Sequence, residues 1–218
     1  MRPFIAFALA VLLAFPAALA APTNAPTPGY VRVRLVTSVG AIILSLDAKR
    51  APKTTANFLN YVDDGRLDGT TFYRAARSKR AQGFGFIQGG VDTDARRVIL
   101  PAVPLEPTNV TGIRHLDATV SMARRAYPNS ATGNFVLTVG PAPRLDAAGS
   151  YLGYAAFGHV VGGMDVVKRI LAVPTGGGSD EMKGQMILRP VRILTARRLD
   201  GVAKPTGRPK PWLLIPRK

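Results

Sequence analysis

Three short segments carry the polar side chains that could do chemistry: GTTFYRA (69–75), GFGFIQGG (83–90) and MARRAYPNSATGNFVL (122–137). Among their hydrogen-bonding residues, the candidates are Arg74, Gln88 and Asn134. A guanidinium donates in a rigid planar fork, and an amide both donates and accepts, so such groups suit the binding and orienting of a polar ligand. Taken singly each signal is weak, because a strand arginine usually faces solvent and a glutamine before two glycines is usually a turn amide.

The sequence lacks the residue patterns of several common kinds of catalytic and metal site. The two histidines, His115 and His159, have no spacing typical of a metal pair, and the chain has no cysteine. Zinc and di-iron sites are therefore not expected. There is no nucleophile elbow or phosphate-binding loop, and the glycines of 83–90 miss the dinucleotide spacing. We expect no metal and no cofactor, although a serine, histidine and acid dispersed along the chain would escape a test based on spacing.

The composition is that of one globular domain with basic extensions. The chain has 218 residues, 47% of them hydrophobic, and a net charge of +16. Its length and apolar content allow one sizeable core. The charge would attract anionic polymer or lipid, or it would simply keep the protein soluble. Residues 201–218 form a basic, proline-rich tail that we expect to be disordered or loosely docked.

The N-terminal residues 1–20 have the pattern of a secretory signal peptide. A charged start at Arg2 precedes an apolar run, and Ala18 and Ala20 provide the small-residue cleavage pattern. Residues 21–29 would then be a proline-rich linker. Export of a chain without disulfides suits a bacterial periplasm, so a periplasmic location is predicted. An uncleaved N-terminal anchor is the alternative.

The segment 30–200 has the periodicities of a mainly β domain. Val31, Val33 and Leu35 alternate with Arg32 and Arg34, which predicts a half-buried strand. That strand turns back into a hairpin. Further strands are predicted at Thr71–Arg74, Phe86–Gln88, Thr119–Met122, Phe135–Val139, Ala156–Val160 and in MILRPVRILTARRL at the end of the domain.

Two segments have helical periodicity instead. Phe58, Leu59 and Val62 share one face of a helix that starts near Pro52 and stops near Gly65. The second helix runs from Met164 to about residue 171. Short strands with only two separated helices favour a closed antiparallel barrel of eight strands, capped by the helices, over a parallel α/β sheet.

The order of these motifs resembles one family. The three polar segments lie between GAIILSLD…APKTTANF and FGHVVGGMDVVKRI, and together they resemble cyclophilin-type peptidyl-prolyl cis-trans isomerases over roughly Val31–Thr195. MARRAYPNSATGNF and LDAAGSYLGYAAFG are most similar to the periplasmic bacterial branch. The family fold is an eight-stranded antiparallel barrel capped by two helices.

The resemblance implies a site and a reaction. The reaction is rotation of X-Pro bonds in extended or unfolded polypeptides, here during folding of exported proteins, by a monomer that needs no cofactor. Arg74 would be catalytic, with Gln88 anchoring the substrate backbone. The remaining substrate-binding positions are Phe86, Met122, Ala123, Asn134, Val136, Leu145 and Tyr154. The small-residue loop that follows Met122 would form part of the groove wall, so that a peptide could lie near Ala123.

Several positions differ from the family pattern, including Asn134, which replaces a glutamine of the groove, and three positions that are usually aromatic. Gly85 and Val136 stand where the family usually has phenylalanines, and Arg144 stands at a position that is usually aromatic. Phe84 or Phe86 could compensate by rotation. The thinner pocket favours an alternative function, a peptide-binding or chaperone module with weak or no turnover. A second alternative is a basic adaptor that binds anionic envelope components through its surface and tail.

Overall fold

The computed structural model describes residues 27–91 and 100–213. The predicted signal peptide, most of the predicted linker and the last five residues of the tail lie outside these ranges. None of the helices in the described ranges is long and apolar enough to cross a membrane.

Nine antiparallel strands form the sheet: β1 (Tyr30–Thr37), β2 (Gly40–Asp47), β3 (Thr71–Arg77), β4 (Gly85–Gly90), β5 (Thr119–Met122), β6 (Asn134–Val139), β7 (Ala156–Gly162), β8 (Thr175–Gly176) and β9 (Met186–Arg198). Their order is β1-β2-β7-β5-β6-β4-β3-β9-β8, and β1 also pairs with β9. That last pairing closes eight strands into a barrel, with the two-residue β8 added outside on β9. The predicted eight-stranded barrel is confirmed.

The alternation in the first strand has the predicted effect on burial. Val33 and Leu35 are fully buried, and Arg34 between them is exposed. Val33 pairs with Leu44 of β2, which is also fully buried, so this face of the hairpin contributes to the barrel interior. Because side chains alternate along a strand, this apolar pattern sets the register of the pair.

Three helices accompany the barrel: α1 (Pro52–Asp63), α2 (Thr108–Thr111) and α3 (Met164–Ala172). The fully buried Phe58 of α1 packs against the rings of Phe135 and Phe157, with centroids 5.2 and 5.4 Å away. α1 and α3 are the two predicted helices. The four-residue α2 was not predicted, because one turn is too short to show a periodicity.

Glu106, one of the two glutamates of the chain, caps the start of α1 although it lies far from this helix in the sequence. The Glu106 carboxylate accepts hydrogen bonds from the backbone N–H groups of Lys53 and Thr54 and from the Thr54 hydroxyl, at 3.1, 2.7 and 2.6 Å. A carboxylate satisfies the free N–H groups of a first turn and favours its dipole. Glu106 therefore has a structural function at the start of this helix.

The described part of the tail, residues 201–213, is docked on the domain, which is one of the two expected states. Its backbone N–H groups at Lys204 and Thr206 donate to Asp63 and Asp64 at 2.9 and 2.7 Å. The fully buried Arg66 donates to the carbonyl of Pro209 at 3.2 Å. The tail docks because buried charges at the end of α1 need partners, and both its backbone groups and the side chains of Thr206 and Trp212 provide them.

Candidate active site

Arg74 lies on β3 with its guanidinium fixed by three acceptors. It donates from Nη1 to Oε1 of Gln88 at 3.1 Å and from Nε to Oε1 of Gln185 at 2.9 Å. Its Nη2 donates to the carbonyl of Glu181 at 3.2 Å. The side chain is half-buried, and burial lowers the pKa of Arg74, while it stays positively charged at any physiological pH. The result is an oriented cation with few ways to rotate.

A β-bulge in β3 brings a second residue to the same glutamine. The registers of β3 with β4 and with β9 both shift between Phe72 and Arg74. The hydroxyl of Tyr73, the residue inside the bulge, accepts a hydrogen bond from Nε2 of Gln88 at 2.8 Å. Regular alternation would have directed Tyr73 and Arg74 to opposite faces, whereas here both contact Gln88. Bulges re-aim side chains in this way next to functional sites.

The guanidinium borders a cavity of about 360 Å³, which we call the Arg74 cavity. Eight of the nine sequence-predicted residues line it: Arg74, Phe86, Gln88, Met122, Ala123, Val136, Leu145 and Tyr154. The Phe86 ring lies 5.2 Å from the Arg74 guanidinium carbon. Apolar side chains together with oriented polar groups are typical of a ligand site. The structure thus brings together residues that are far apart in the sequence.

The ninth residue, Asn134, lies outside the lining of this cavity. It is buried, and its side-chain oxygen lies close to Gly90 on the paired strand. Its backbone carbonyl accepts a hydrogen bond from the N–H of Ala123 at 2.9 Å. Asn134 therefore contributes to the site by holding Ala123 in place rather than by facing the cavity.

The loop of small residues after Met122 is only partly a cavity wall. Ala123 and Arg124 line the cavity, and the Arg124 guanidinium carbon lies 4.8 Å from the Tyr154 ring centre. Arg124 also donates from Nε to the Gly153 carbonyl at 2.9 Å, which joins two loops at the rim. Gly133, near the end of the loop, does not line the cavity. A side chain is excluded there because a Cβ would collide with the Tyr61 ring.

The backbone conformation explains why position 85 is a glycine. Its φ is +150°, and a Cβ would collide with the carbonyl oxygen of Ala76 across the β3–β4 pair. A phenylalanine does not fit this backbone. Phe86 lines the Arg74 cavity, whereas Phe84 packs over Gly140 beside a neighbouring cavity. Of the two aromatic residues that could compensate, the structure brings Phe86 to the site.

Sequence reasoning missed the segment before β9. Gln185, Glu181 and Met182 all line the cavity, and Gln185 and Glu181 also accept hydrogen bonds from Arg74. The glycine-rich stretch that contains them shows neither periodicity nor a motif. No pattern in the neighbouring sequence indicates this function, because these residues come close to Arg74 only when β9 pairs with β3.

A serine, a histidine and an aspartate do align, away from the cavity. His115 Nδ1 lies 2.7 Å from Asp146 Oδ1, and its Nε2 lies 2.8 Å from Ser121 Oγ. Ser121 is fully buried, and its hydroxyl also lies 3.1 Å from the Ala155 carbonyl. A nucleophile must be reachable by substrate, so this buried row is a structural network. Within the described ranges, no group of three or more His, Asp or Glu side chains is arranged to hold a metal ion.

Comparisons with known proteins agree with this architecture. The family model for cyclophilin type peptidyl-prolyl cis-trans isomerase/CLD matches residues 32–198. Peptidyl-prolyl cis-trans isomerase A of Dickeya dadantii (strain 3937) is 39% identical over 165 residues, which cover 75% of this chain and 80% of that protein. Peptidyl-prolyl cis-trans isomerase B of Escherichia coli (strain K12) is 32% identical over 163 residues, covering 72% and 96%.

A solved structure supports the fold independently. The crystal structure of a Cryptosporidium parvum cyclophilin type peptidyl-prolyl cis-trans isomerase in the presence of the dipeptide Ala-Pro has a TM-score of 0.61 and 22% identity. The match covers 78% of this chain and 99% of that one. With the family model spanning the barrel and curated relatives above 30% identity, this chain belongs to the cyclophilin-type peptidyl-prolyl cis-trans isomerases.

Proposed function

We propose that this isomerase acts on X-Pro bonds in extended segments of exported polypeptides, with Arg74 as its catalytic residue. The observation that carries the proposal is the Arg74 guanidinium, which two glutamine side chains fix beside a cavity with both apolar and polar walls. The cavity would hold the proline ring, and the guanidinium would face the prolyl nitrogen. The Ala-Pro dipeptide used with the C. parvum relative is a ligand of this chemical class.

The reaction requires a hydrogen-bond donor, here a cation, beside the prolyl nitrogen. Peptide resonance imposes a rotation barrier of about 18–20 kcal/mol. Twisting the bond localises the lone pair on the prolyl nitrogen, which then becomes a better hydrogen-bond acceptor. A guanidinium that donates to this nitrogen stabilises the twisted state more than either planar isomer, and such a difference is what lowers a barrier. No nucleophile takes part in this step.

Gln88 would serve both Arg74 and the substrate. Its Oε1 accepts from Arg74 and one of its N–H groups donates to Tyr73, so its side chain is oriented at both ends. A glutamine amide has a second N–H donor. We assign that donor to a carbonyl of the bound peptide. Met122, Val136 and Leu145 would contact the proline ring or its neighbours through apolar groups.

The export part of the proposal rests on residues 1–20. Their charged start, apolar run and small-residue cleavage pattern are those of a signal peptide. We propose that the mature chain begins at Ala21 and folds client proteins in the periplasm, as the similarity to the periplasmic branch suggests. Cell fractionation followed by intact mass measurement tests this. Recovery of a chain that still carries Met1 from the soluble cytoplasm would contradict it.

A holding function with little turnover is the second candidate. It is favoured by Gly85 and Val136, which leave the cavity with less aromatic surface than the family pattern. Exchange spectroscopy on one X-Pro peptide distinguishes the two functions. Acceleration of exchange by catalytic amounts of protein supports the isomerase, whereas peptide binding with exchange at the background rate supports the holding function.

A further inference from the structure

A second cavity adjoins the Arg74 cavity, and its charges are all positive. It has a volume of about 730 Å³ and lies between the β3–β4 loop and residues 141–145. Its charged lining residues are Arg77, Lys79, Arg80 and Arg144, and no aspartate or glutamate of residues 27–91 and 100–213 lines it. We call it the basic cleft. Its volume is within the range of small-ligand and peptide sites.

Three of these four cations have no partner in the described structure. The side chains of Lys79, Arg80 and Arg144 make no hydrogen bond or ion pair with any residue in 27–91 or 100–213. Many other arginines of the described ranges are paired, as in the ion pairs Arg32–Asp200 and Arg198–Asp63, although exposed ones such as Arg34 are not. A group of unpaired cations around one concave space produces a positive potential that attracts an anion.

The loop that carries the cations is held in place by its own contacts. Arg77 donates from Nη1 to the carbonyls of Leu171 and Val173 at 2.7 and 2.9 Å. The Ser78 N–H donates to the Phe84 carbonyl at 2.8 Å, which closes the loop at its base. Phe84 packs over Gly140, on the opposite side of the cleft. The cleft is therefore formed before any ligand arrives.

The two cavities adjoin. Five residues line both of them: Arg77, Phe86, Arg144, Leu145 and Gln185. A peptide that extends from the Arg74 cavity past these shared residues would reach the basic cleft. Glu181, the carboxylate beside Arg74, lines the Arg74 cavity and not the cleft.

We propose that the basic cleft binds an acidic side chain of the same substrate peptide, so that the enzyme prefers X-Pro bonds with an Asp or Glu a few residues away. The inference rests on the proposed function, because the peptide must occupy the Arg74 cavity. The concave shape and the shared lining favour a peptide carboxylate over a membrane, whose flat anionic surface would meet the rim rather than the interior. Solvated ion pairs are individually weak, so the expected preference is modest.

The test compares matched peptides. Two pairs of X-Pro peptides are used, and the members of each pair differ only in having Glu or Gln at one position. That position is two residues before the proline in one pair and two residues after it in the other. Exchange spectroscopy at low salt measures kcat/KM without a coupling protease. We expect the Glu peptide of at least one pair to exceed its Gln partner by about three- to tenfold, and 0.5 M salt to remove the difference.

Variants assign the preference to the cleft. In Lys79→Gln/Arg80→Gln, whose side chains lie outside the Arg74 cavity, the Glu/Gln ratio should fall towards one. The matched control, Arg34→Gln/Lys168→Gln, removes the same charge from exposed positions outside both cavities and should keep the ratio. Thermal melts of both variants check folding.

Two outcomes overturn the proposal. One is equal kcat/KM for Glu and Gln peptides in both pairs, and the other is a preference that persists in Lys79→Gln/Arg80→Gln. If none of the four peptides shows catalysed exchange, the isomerase proposal fails instead, and titrations of the same peptides still measure the Glu preference as a ratio of Kd values. Equal peptide affinities, together with binding to vesicles containing 30% phosphatidylglycerol that the double variant loses, would assign the cleft to lipid and reject the peptide.

Discussion

The Arg74 guanidinium and the Gln88 side chain share a hydrogen bond of 3.1 Å, and Gln88 is itself fixed by the Tyr73 hydroxyl at 2.8 Å. Gln88 is buried, with 7% of its surface exposed, so water competes little for these bonds. Gln88 thus orients the cation beside the cavity without neutralising any of its charge. An acidic partner in the place of Gln88 would have neutralised part of that charge.

Arg74→Ala should slow catalysis while peptide binding persists. Loss of a charge-assisted hydrogen bond of about 1.5–3 kcal/mol in the twisted state lowers kcat/KM by about one to two orders of magnitude. Arg74→Lys should restore little, because an ammonium lacks the planar fork that bonds Gln88 and Gln185 together. Exchange spectroscopy gives the rates and a titration of the same peptide gives the affinity. An Arg74→Ala enzyme of full activity would refute the mechanism.

Gly85→Ala should destabilise the barrel rather than enlarge the apolar site. The new Cβ would collide with the Ala76 carbonyl at a φ of +150°, so β3 and β4 must separate locally. Gly83→Ala is the matched control, since its φ is also positive at +77° but its Cβ meets nothing within 4 Å. Urea unfolding should show a loss of more than about 2 kcal/mol for Gly85→Ala and about 1 kcal/mol for Gly83→Ala. Equal losses would show that the backbone contact is unimportant.

Removal of residues 201–218 should lower the melting temperature. Asp64 and Arg66 are buried, and without the tail they lose the Thr206 and Pro209 backbone partners. We expect a loss of about 2 kcal/mol, or on the order of 5 °C in a domain of this size. Calorimetry measures the shift.

The control for the tail is a shorter truncation. Removal of residues 214–218 keeps every contact described for the tail and should leave the melting temperature unchanged. Thr206→Val removes the hydroxyl that donates to Asp64 and retains the shape, so it should reproduce part of the loss. A full truncation that melts like the intact chain would mean that the docking adds nothing to stability.

Stability should fall as the pH is lowered from 7.5 to 5.5. Burial lowers the pKa of His115, and burial also lowers the pKa of His159, so the folded chain resists protonation that the unfolded chain accepts below about 6.5. Each such proton costs at most about 1.4 kcal/mol of stability per pH unit, and the loss ends once the folded histidine is itself protonated. Urea unfolding at several pH values measures the slope.

His115→Gln should flatten this slope. The variant is expected to be less stable at pH 7.5, because Ser121 and Asp146 lose their partner, but its stability should depend less on pH. Asp47, Asp64 and Asp200 do not interfere in this window, since their surroundings lower the pKa of each carboxylate below its usual range, so that they titrate in stronger acid. An unchanged slope in His115→Gln would assign the pH dependence to other groups.

The sequence by itself determined the barrel, its two main helices and most of the site. Period-two and helical patterns record which side of each segment is buried, and that property is local. The family resemblance predicted that Arg74, Gln88 and Met122 belong to one site. They line one cavity because the fold defines how their strands pair.

The tertiary structure alone decided the rest. Gln185 reaches Arg74 across 111 positions of the chain, and Arg66 meets the Pro209 carbonyl across 143. No local pattern reports such contacts, since they depend on barrel closure and on the path of irregular segments. The alignment of Tyr73 with Arg74 on one glutamine depends on a bulge, and the basic cleft depends on where two loops meet. Periodicity specifies what is buried, whereas the partner of each buried or charged group is set by packing in three dimensions.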